Sequence, residues 1–345
     1  PGAWPDRTPV TVVRARQGGR GAVTQVVMPI LDVVHDRAHP VESDGAWSES
    51  YYFNCFDPDA DVGFFTRIGV RPNDGTIDVG LSVWLPGGGV DHVRHVREQR
   101  EMIDTVLEVG GVRYEMLEPA RAWRLTADSA SLRGNVAMDV TFDARTPLIG
   151  ADGQHRDASD AASASTRQSV GKGHLEQGGR WSGWIGAGDS GRELGPTARG
   201  NRDKSWGPRR WGGPKMWRWF SINIDDDTHF GGIVIGTDAG DLHRGWVWRD
   251  GRAESIAQWK VSSELEADGI THRATHVVAT DKAGTDHVLE AEALRVEPGP
   301  AGIRANTTIV NEGLARWSYE GRTGTGISEY LHQLDGDAMP VVPIN

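Results

Sequence analysis

The chain has 345 residues, 38% hydrophobic and 25% charged, with a net charge of −11 at pH 7. That length is too great for one ordinary barrel and suits two domains, and the acidic balance excludes nucleic acid as a main partner and disfavours anionic membranes. No run approaches the ~18 apolar residues of a membrane span, residues 1–7 lack the regions of a signal peptide, and the lone Cys55 excludes an intramolecular disulfide; the expected location is the cytoplasm.

The first 45 residues read as a short helix or irregular lead-in. From Glu49 onward, glycines separate short apolar runs, the pattern of tight turns between strands. Ser50–Phe56 is an aromatic strand, which makes Cys55 a buried structural thiol. Asp57–Asp61 is a turn, Gly63–Val70 a strand, and Arg71–Gly75 a turn ending in the hairpin pair Asp-Gly. Ile77–Leu85 alternates and stops at Pro86. Strands follow near Thr105–Val109, Val112–Leu117, Ala122–Ala127, Ser131–Val136 and Met138–Phe142. Ala151–Gly173 turns small and polar, a flexible loop or a short exposed helix, and Arg180–Ile185 is again a strand.

Arg199–Arg218 is basic and rich in tryptophan within an acidic chain. A second meander begins after it: Met216–Ile224, Thr228–Gly236, Leu242–Arg249 and Glu254–Val261, with acidic turns and another Asp-Gly at Asp250–Gly251. Its order of aromatic strand, acidic turn, glycine-containing strand, turn and Trp-terminated strand repeats that of Tyr51–Trp84, which suggests a duplication. Ile270–Thr280, His287–Val296, Gly302–Val310, Trp317–Glu320 and a glycine-rich closing strand complete the chain. No strong helices separate the strands, so a parallel α/β sheet is disfavoured. The predicted fold is all-β, two tandem antiparallel barrels, with domains at 1–195 and 196–345.

Catalytic signatures are few. His92 and His95 fall on opposite faces of a strand, and His272 and His276 share only parity, so no metal is expected. No nucleophile elbow is present. The stretch around Arg202–Gly207 remains. Asp203 in an apolar setting becomes a proton donor. Lys204 there becomes a base or Schiff-base amine. Trp206, Trp211, Trp217 and Trp219, with Arg202 and Arg209, suit a lined pocket or cation–π pairing.

Gly200-Asn201-Arg202-Asp203-Lys204-Ser205-Trp206-Gly207, followed by Arg209 and Trp211, resembles the signature of the carotenoid 1,2-hydratase/AttH-like superfamily of tandem lipocalin-like barrels. The runs WSESYYFNCFD, GFFTRIGVRPNDG and GISEYLHQLD resemble an uncharacterised bacterial branch. The resemblance implies two lipocalin-like barrels. It also implies pericyclic chemistry or alkene hydration, and in the hydratases a carboxylic acid protonates the alkene and aromatic side chains steady the cation. Asp203 and Trp206 fall on the family motif; Lys204 stands where the family has His.

The expected function is therefore a cofactor-independent lyase or isomerase acting on a hydrophobic terpenoid, steroid or aromatic molecule. Asp203 and Lys204 are the expected catalytic pair. Trp206, Arg202, Arg209, Trp211, Trp219, His229, Tyr51, Glu49, Glu329 and Tyr330 are the expected substrate contacts. A non-catalytic binder of a hydrophobic ligand and a Lys204 Schiff-base lyase are the alternatives. The oligomeric state is left open, a homodimer included.

Overall fold

A computed structural model describes residues 30–131, 134–153, 161–299, 308–335, 339–342 and 344. The chain forms strands β1 (Trp47–Asp57), β2 (Val62–Arg71), β3 (Thr76–Leu85), β4 (Gly89–Glu98), β5 (Val106–Val109), β6 (Val112–Glu118), β7 (Ala122–Ser131), β8 (Gly134–Ala144) and β9 (Ile149–Ala151). Helix α1 (Ala161–Ser169) precedes β10 (Gly173–Ala187), β11 (Ser190–Glu193) and β12 (Arg199–Pro208). These strands make one sheet in the order β4-β3-β2-β1-β12-β10-β8-β7-β6-β5, with β9 and β11 as side pairings on β10.

The sheet curls into a nearly closed barrel. Its gap lies between β4 and β5, where Arg97 Nη2 donates to the Glu108 carbonyl at 3.0 Å. The second unit comprises β13 (Met216–Asn223), β14 (Thr228–Thr237), β15 (Gly240–Arg249), β16 (Arg252–Leu265), β17 (His272–Asp281), β18 (Asp286–Gly299), β19 (Thr308–Tyr319) and β20 (Arg322–Gln333). They close into an eight-stranded antiparallel barrel. In both units the first strand pairs with the last, β1 with β12 and β13 with β20.

The expected division after Gly195 falls inside the first sheet, because β12 pairs with both β1 and β10. The first half of the basic segment, Arg199–Pro208, is thus a wall strand of barrel one, and its end, from Met216, opens barrel two. Strand β4 lies where no strand was expected. The two strands expected around Ala137 are one, β8. Residues 302–307 of the strand expected from Gly302 lie outside the described residues, as do 1–29 of the lead-in and 154–160 of the polar stretch. Within the described lead-in, Val33–Asp36 form a 3-10 turn, started by the Asp32 side chain accepting from Val34 N.

Each barrel has its own apolar interior. Phe53, Phe64, Tyr114, Trp123, Phe142 and Trp181 dominate the first. Phe220, Phe230, Trp259, Trp317 and Tyr330 dominate the second. Every residue of β1 and all but the first of β13 are buried. A strand hidden on both faces must cover a barrel interior on one side and a second layer on the other. The second layer is the neighbouring barrel: Tyr52, Phe56, Trp217, Trp219, Ile235, Leu314, Ile327 and Leu331 pack together between the units. Helix α1 wedges Ala162 into this layer, so it is not exposed. Asp226 from barrel two accepts from Arg180 and from Arg199, the latter at 3.1 Å, clamping one end of the contact.

Candidate active site

The face of barrel one turned toward barrel two carries polar groups at every second residue. In register, Tyr52 on β1 lies opposite Asp203 on β12, and Asp203 opposite Glu176 on β10. His174 is two residues before Glu176 and shares its face. Barrel two contributes Trp217 and Trp219 from β13, Trp246 from β15, Glu312 from β19 and Glu329 from β20.

The indole N–H groups of Trp219 and Trp246 donate to the two oxygens of Glu176, at 2.6 and 2.9 Å. Burial pushes the Glu176 carboxyl above its ordinary range. Trp217 donates to Glu329 at 2.6 Å. Tyr52 donates its hydroxyl to Glu312, and its ring meets Trp219 edge-on at 5.3 Å.

Glu312 and Glu329 are direct cross-strand partners and hydrogen-bond to each other. Burial, then the charge of Glu329, pushes Glu312 well above the usual carboxylate range. Burial raises Glu329 too, opposed by the bonds from Glu312 and Trp217. Two adjacent carboxyls in a dry site cannot both ionise easily, so the pair holds one proton. The upward push is the stronger at Glu312.

Beside this pair, His174 Nε2 contacts Asp203 and stands 3.6 Å from Glu176. Burial alone would lower the His174 pKa, but the charge and hydrogen bond of Asp203, with Glu176, carry it up to about 9. The His174 side chain is 38% exposed, so solvent moderates that pull. Arg209 donates to Ser205 Oγ at 2.8 Å, stacks over Trp211 and is attracted by Asp203 and Glu329. His174, Asp203, Arg209, Trp211 and Glu329 are partly exposed, while Glu176, Glu312, Trp217, Trp219 and Trp246 behind them are buried. The carboxyls are thus held by aromatic donors, Glu329 by Trp217, Glu312 by Tyr52 and Glu176 by Trp219 and Trp246, and Glu329 lies on the side that solvent reaches.

Ligand atoms of His174, Glu176 and Asp203 lie within 4.8 Å of one another, which makes them a set able to hold a metal ion. No metal was expected from the sequence. Both Glu176 oxygens already accept from indoles, and the His174–Asp203 contact serves as a hydrogen-bonded ion pair. The donor set as arranged therefore fits proton chemistry better than a cation.

Gly231 on β14 allows the barrels this close. A Cβ there would lie 2.0 Å from Glu176 Oε2 and 2.6 Å from the Trp246 ring. Gly231→Ala is expected to push Glu176 off its indole donors, visible as a lower unfolding midpoint and altered tryptophan emission.

The expected catalytic pair does not act together. Successive residues of β12 face opposite ways, so Asp203 points into the seam while Arg202, Lys204 and Trp206 point into barrel one. Lys204 is fully buried, and its Nζ is bound to Glu49 Oε1 (2.7 Å) and to the carbonyls of His35 (2.8 Å) and Arg37 (2.5 Å). Three acceptors fit an ammonium's three donors. Burial lowers the Lys204 pKa, opposed by the charge and hydrogen bond of Glu49, and the arrangement is that of a buried anchor facing away from Asp203. Tyr51 and Trp206 flank the ammonium at 5.2 and 5.5 Å. Arg202 grips Asp36 with two bonds, 2.6 and 3.0 Å, and Gln177 with a third. Arg202, Lys204, Trp206, Glu49 and Tyr51 therefore fasten the lead-in over barrel one.

His229 is buried in the seam, bonded to Asn223 and the Asp226 carbonyl. Tyr330 faces the interior of barrel two. Asp203, Arg209, Trp211, Trp219 and Glu329 are the expected residues that come together.

Sequence reasoning missed Glu312, Tyr52, His174 and Glu176. One signal was available. A two-residue turn at Glu320–Gly321 pairs Tyr319 with Arg322, and the constant sum 319 + 322 = 641 = 312 + 329 sets Glu312 opposite Glu329. Nothing comparable links β10 to β12, which are joined by a long excursion through β11.

The raised His174 pKa makes a stability prediction. Its folded value, about 9, exceeds the ordinary 6.5. The pair's contribution is then complete below 6.5 and is lost as pH rises through 9. Urea unfolding should show wild type and His174→Gln diverging at pH 6 and converging by alkaline pH; a pH-independent gap would contradict the ion pair.

Comparison with known proteins agrees with this architecture. The family described as a domain of unknown function, DUF7064, matches residues 32–334, and the chain belongs to that family. Among solved structures, it shares its fold with a protein described as a putative AttH from Nitrosomonas europaea, at 16% identity and TM-score 0.60, covering 84% of this chain and 93% of that one. Kievitone hydratase from Nectria haematococca matches at 12% identity and TM-score 0.57, covering 82% and 87%. CghA matches at 11% and 0.60, covering 85% and 90%. The fold is that of the AttH-like tandem barrels the sequence motif resembles. No curated protein matches the sequence. Among the described residues, no helix is long and apolar enough to cross a membrane.

Proposed function

We propose that the chain is a cofactor-independent lyase or isomerase that moves a proton onto an unsaturated hydrophobic molecule of terpenoid, steroid or aromatic type. The observation that carries this reading is the cross-strand Glu312–Glu329 carboxyl pair beside Tyr52, Trp217 and Trp219. Glu312 donates its proton to the double bond, forming a C–H bond and a carbocation. The faces of Trp217 and Trp219 stabilise positive charge. Asp203, with His174, then takes a proton either from an adjacent carbon, which moves the double bond, or from a water that adds to the cation, which hydrates it. His174 returns that proton to solvent, and Glu312 is reprotonated through Glu329. The likeness of fold to an enzyme named for hydrating kievitone supports the hydration branch.

The test is incubation of the protein in D₂O with a panel of unsaturated terpenoids, steroids and prenylated aromatics, read by mass spectrometry. Deuterium uptake, or the gain of one D₂O (about 20 daltons, about 19 once the hydroxyl deuteron exchanges back), supports the proposal when Asp203→Asn abolishes it. Retention of a compound with no exchange supports a binder instead.

A further inference from the structure

Barrel two encloses a second polar group that the seam chemistry does not use. Arg218 on β13 and Tyr330 and His332 on β20 face the barrel interior, the side opposite Trp217, Trp219 and Glu329. His272 on β17 stacks on Tyr330, with ring centres 4.0 Å apart, and His332 sits edge-on to it at 6.1 Å. The Arg218 guanidinium lies over the same ring at 4.2 Å. Arg218 is 5% exposed, and both histidines are 1% exposed.

The charge there is unbalanced. Arg218 Nη1 donates to the carbonyls of Trp217 (2.7 Å) and Leu331 (3.3 Å), and no carboxylate among the described residues pairs with the guanidinium. A buried cation without a counter-charge is costly. Among the described residues both ring nitrogens of His332 lack a hydrogen-bond partner, and His272 faces only the Ser328 backbone. Burial, then Arg218, pushes His272 down to about 4 and His332 down to about 3, so both rings are neutral and each keeps one N–H donor. The Tyr330 hydroxyl is already engaged by Ser263 (2.6 Å) and Thr275 (3.0 Å).

We propose that Arg218, His272 and His332 form an anion site inside barrel two that takes the carboxylate of a small organic acid. One guanidinium and two neutral imidazole donors neutralise a monoanion and leave no net buried charge. A phosphate dianion would leave one negative charge uncompensated in a low-dielectric interior. A carboxylate's two oxygens suit donors arriving from two strands and a stacked ring. Phe220, Trp259 and Trp317 fill the barrel beyond, so the acid is short.

The experiment is a titration of the full chain with acetate, phosphate or chloride at constant ionic strength, read by the imidazole nitrogen resonances of His272 and His332. His272→Gln and His332→Gln assign the signals. Acetate is expected to shift both signals saturably with Kd about 1 mM, and Arg218→Met to weaken binding at least about tenfold. No saturable shift in wild type up to about 100 mM, or an equal response to phosphate or chloride, overturns the site. Unweakened binding in folded Arg218→Met overturns it as well. Should that variant fail to fold, His332→Phe replaces it, and unweakened binding there counts against the site in the same way.

Discussion

Replacing Glu312 with glutamine is expected to lower turnover by about 10²- to 10⁴-fold, the range for loss of a general acid, while the barrels stay folded. Glutamine keeps the size of the side chain, still donates to Glu329 and still accepts from Tyr52. Only the transferable proton is gone. Glu329→Gln should have a smaller effect on the chemical step but should bring down the pH at which activity falls on the alkaline side, because the Glu329 charge is the second cause, after burial, of the raised Glu312 pKa. Steady-state kinetics across pH, with circular dichroism of each variant, separates the two roles. Equal activity of Glu312→Gln and wild type would remove the acid from the mechanism.

The largest effect on stability is expected at Lys204. Lys204→Met should cost about 3–5 kcal/mol, the range for breaking a buried ion pair from one side, because Glu49 is left fully buried without its cation. The double variant Lys204→Met with Glu49→Leu removes both charges and should recover much of the loss. Urea unfolding of the three variants measures this directly. The same series decides between an anchor and a catalytic base: an anchor loses stability with an unchanged pH profile of activity, whereas a base loses turnover in both the single and the double variant.

The barrels were legible because their strands alternate and their turns carry Asp-Gly, Pro and Gly in the expected places. The likeness of the two meanders has its counterpart in the fold, where each unit opens with three consecutive antiparallel strands and joins its first strand to its last. Strand β12 escaped notice as a strand because Arg202, Asp203 and Lys204 look like a solvent-facing run. The ion partners that permit their burial, Asp36 and Glu49, lie more than 150 residues earlier. Asp203 was legible by motif, but its facing was not, since a reading of local composition ignores that adjacent strand residues part company. His174 and Glu176 sit in a stretch without a motif, and only the pairing of β10 with β12 brings them to Asp203. Glu312 was recoverable by counting back from a hairpin turn, the one long-range relation that a tight turn writes into local sequence.

The indole donors have an optical consequence. Trp217 bonds Glu329, while Trp219 and Trp246 bond Glu176. An indole N–H that donates to a carboxylate lies in a stronger local field than one that donates to a neutral acid, so its emission reports the charge state of its partner. The protein therefore carries its own indicator dyes at the seam: the emission of Trp217 should follow the charge on Glu329, and that of Trp219 and Trp246 the charge on Glu176, without any added label.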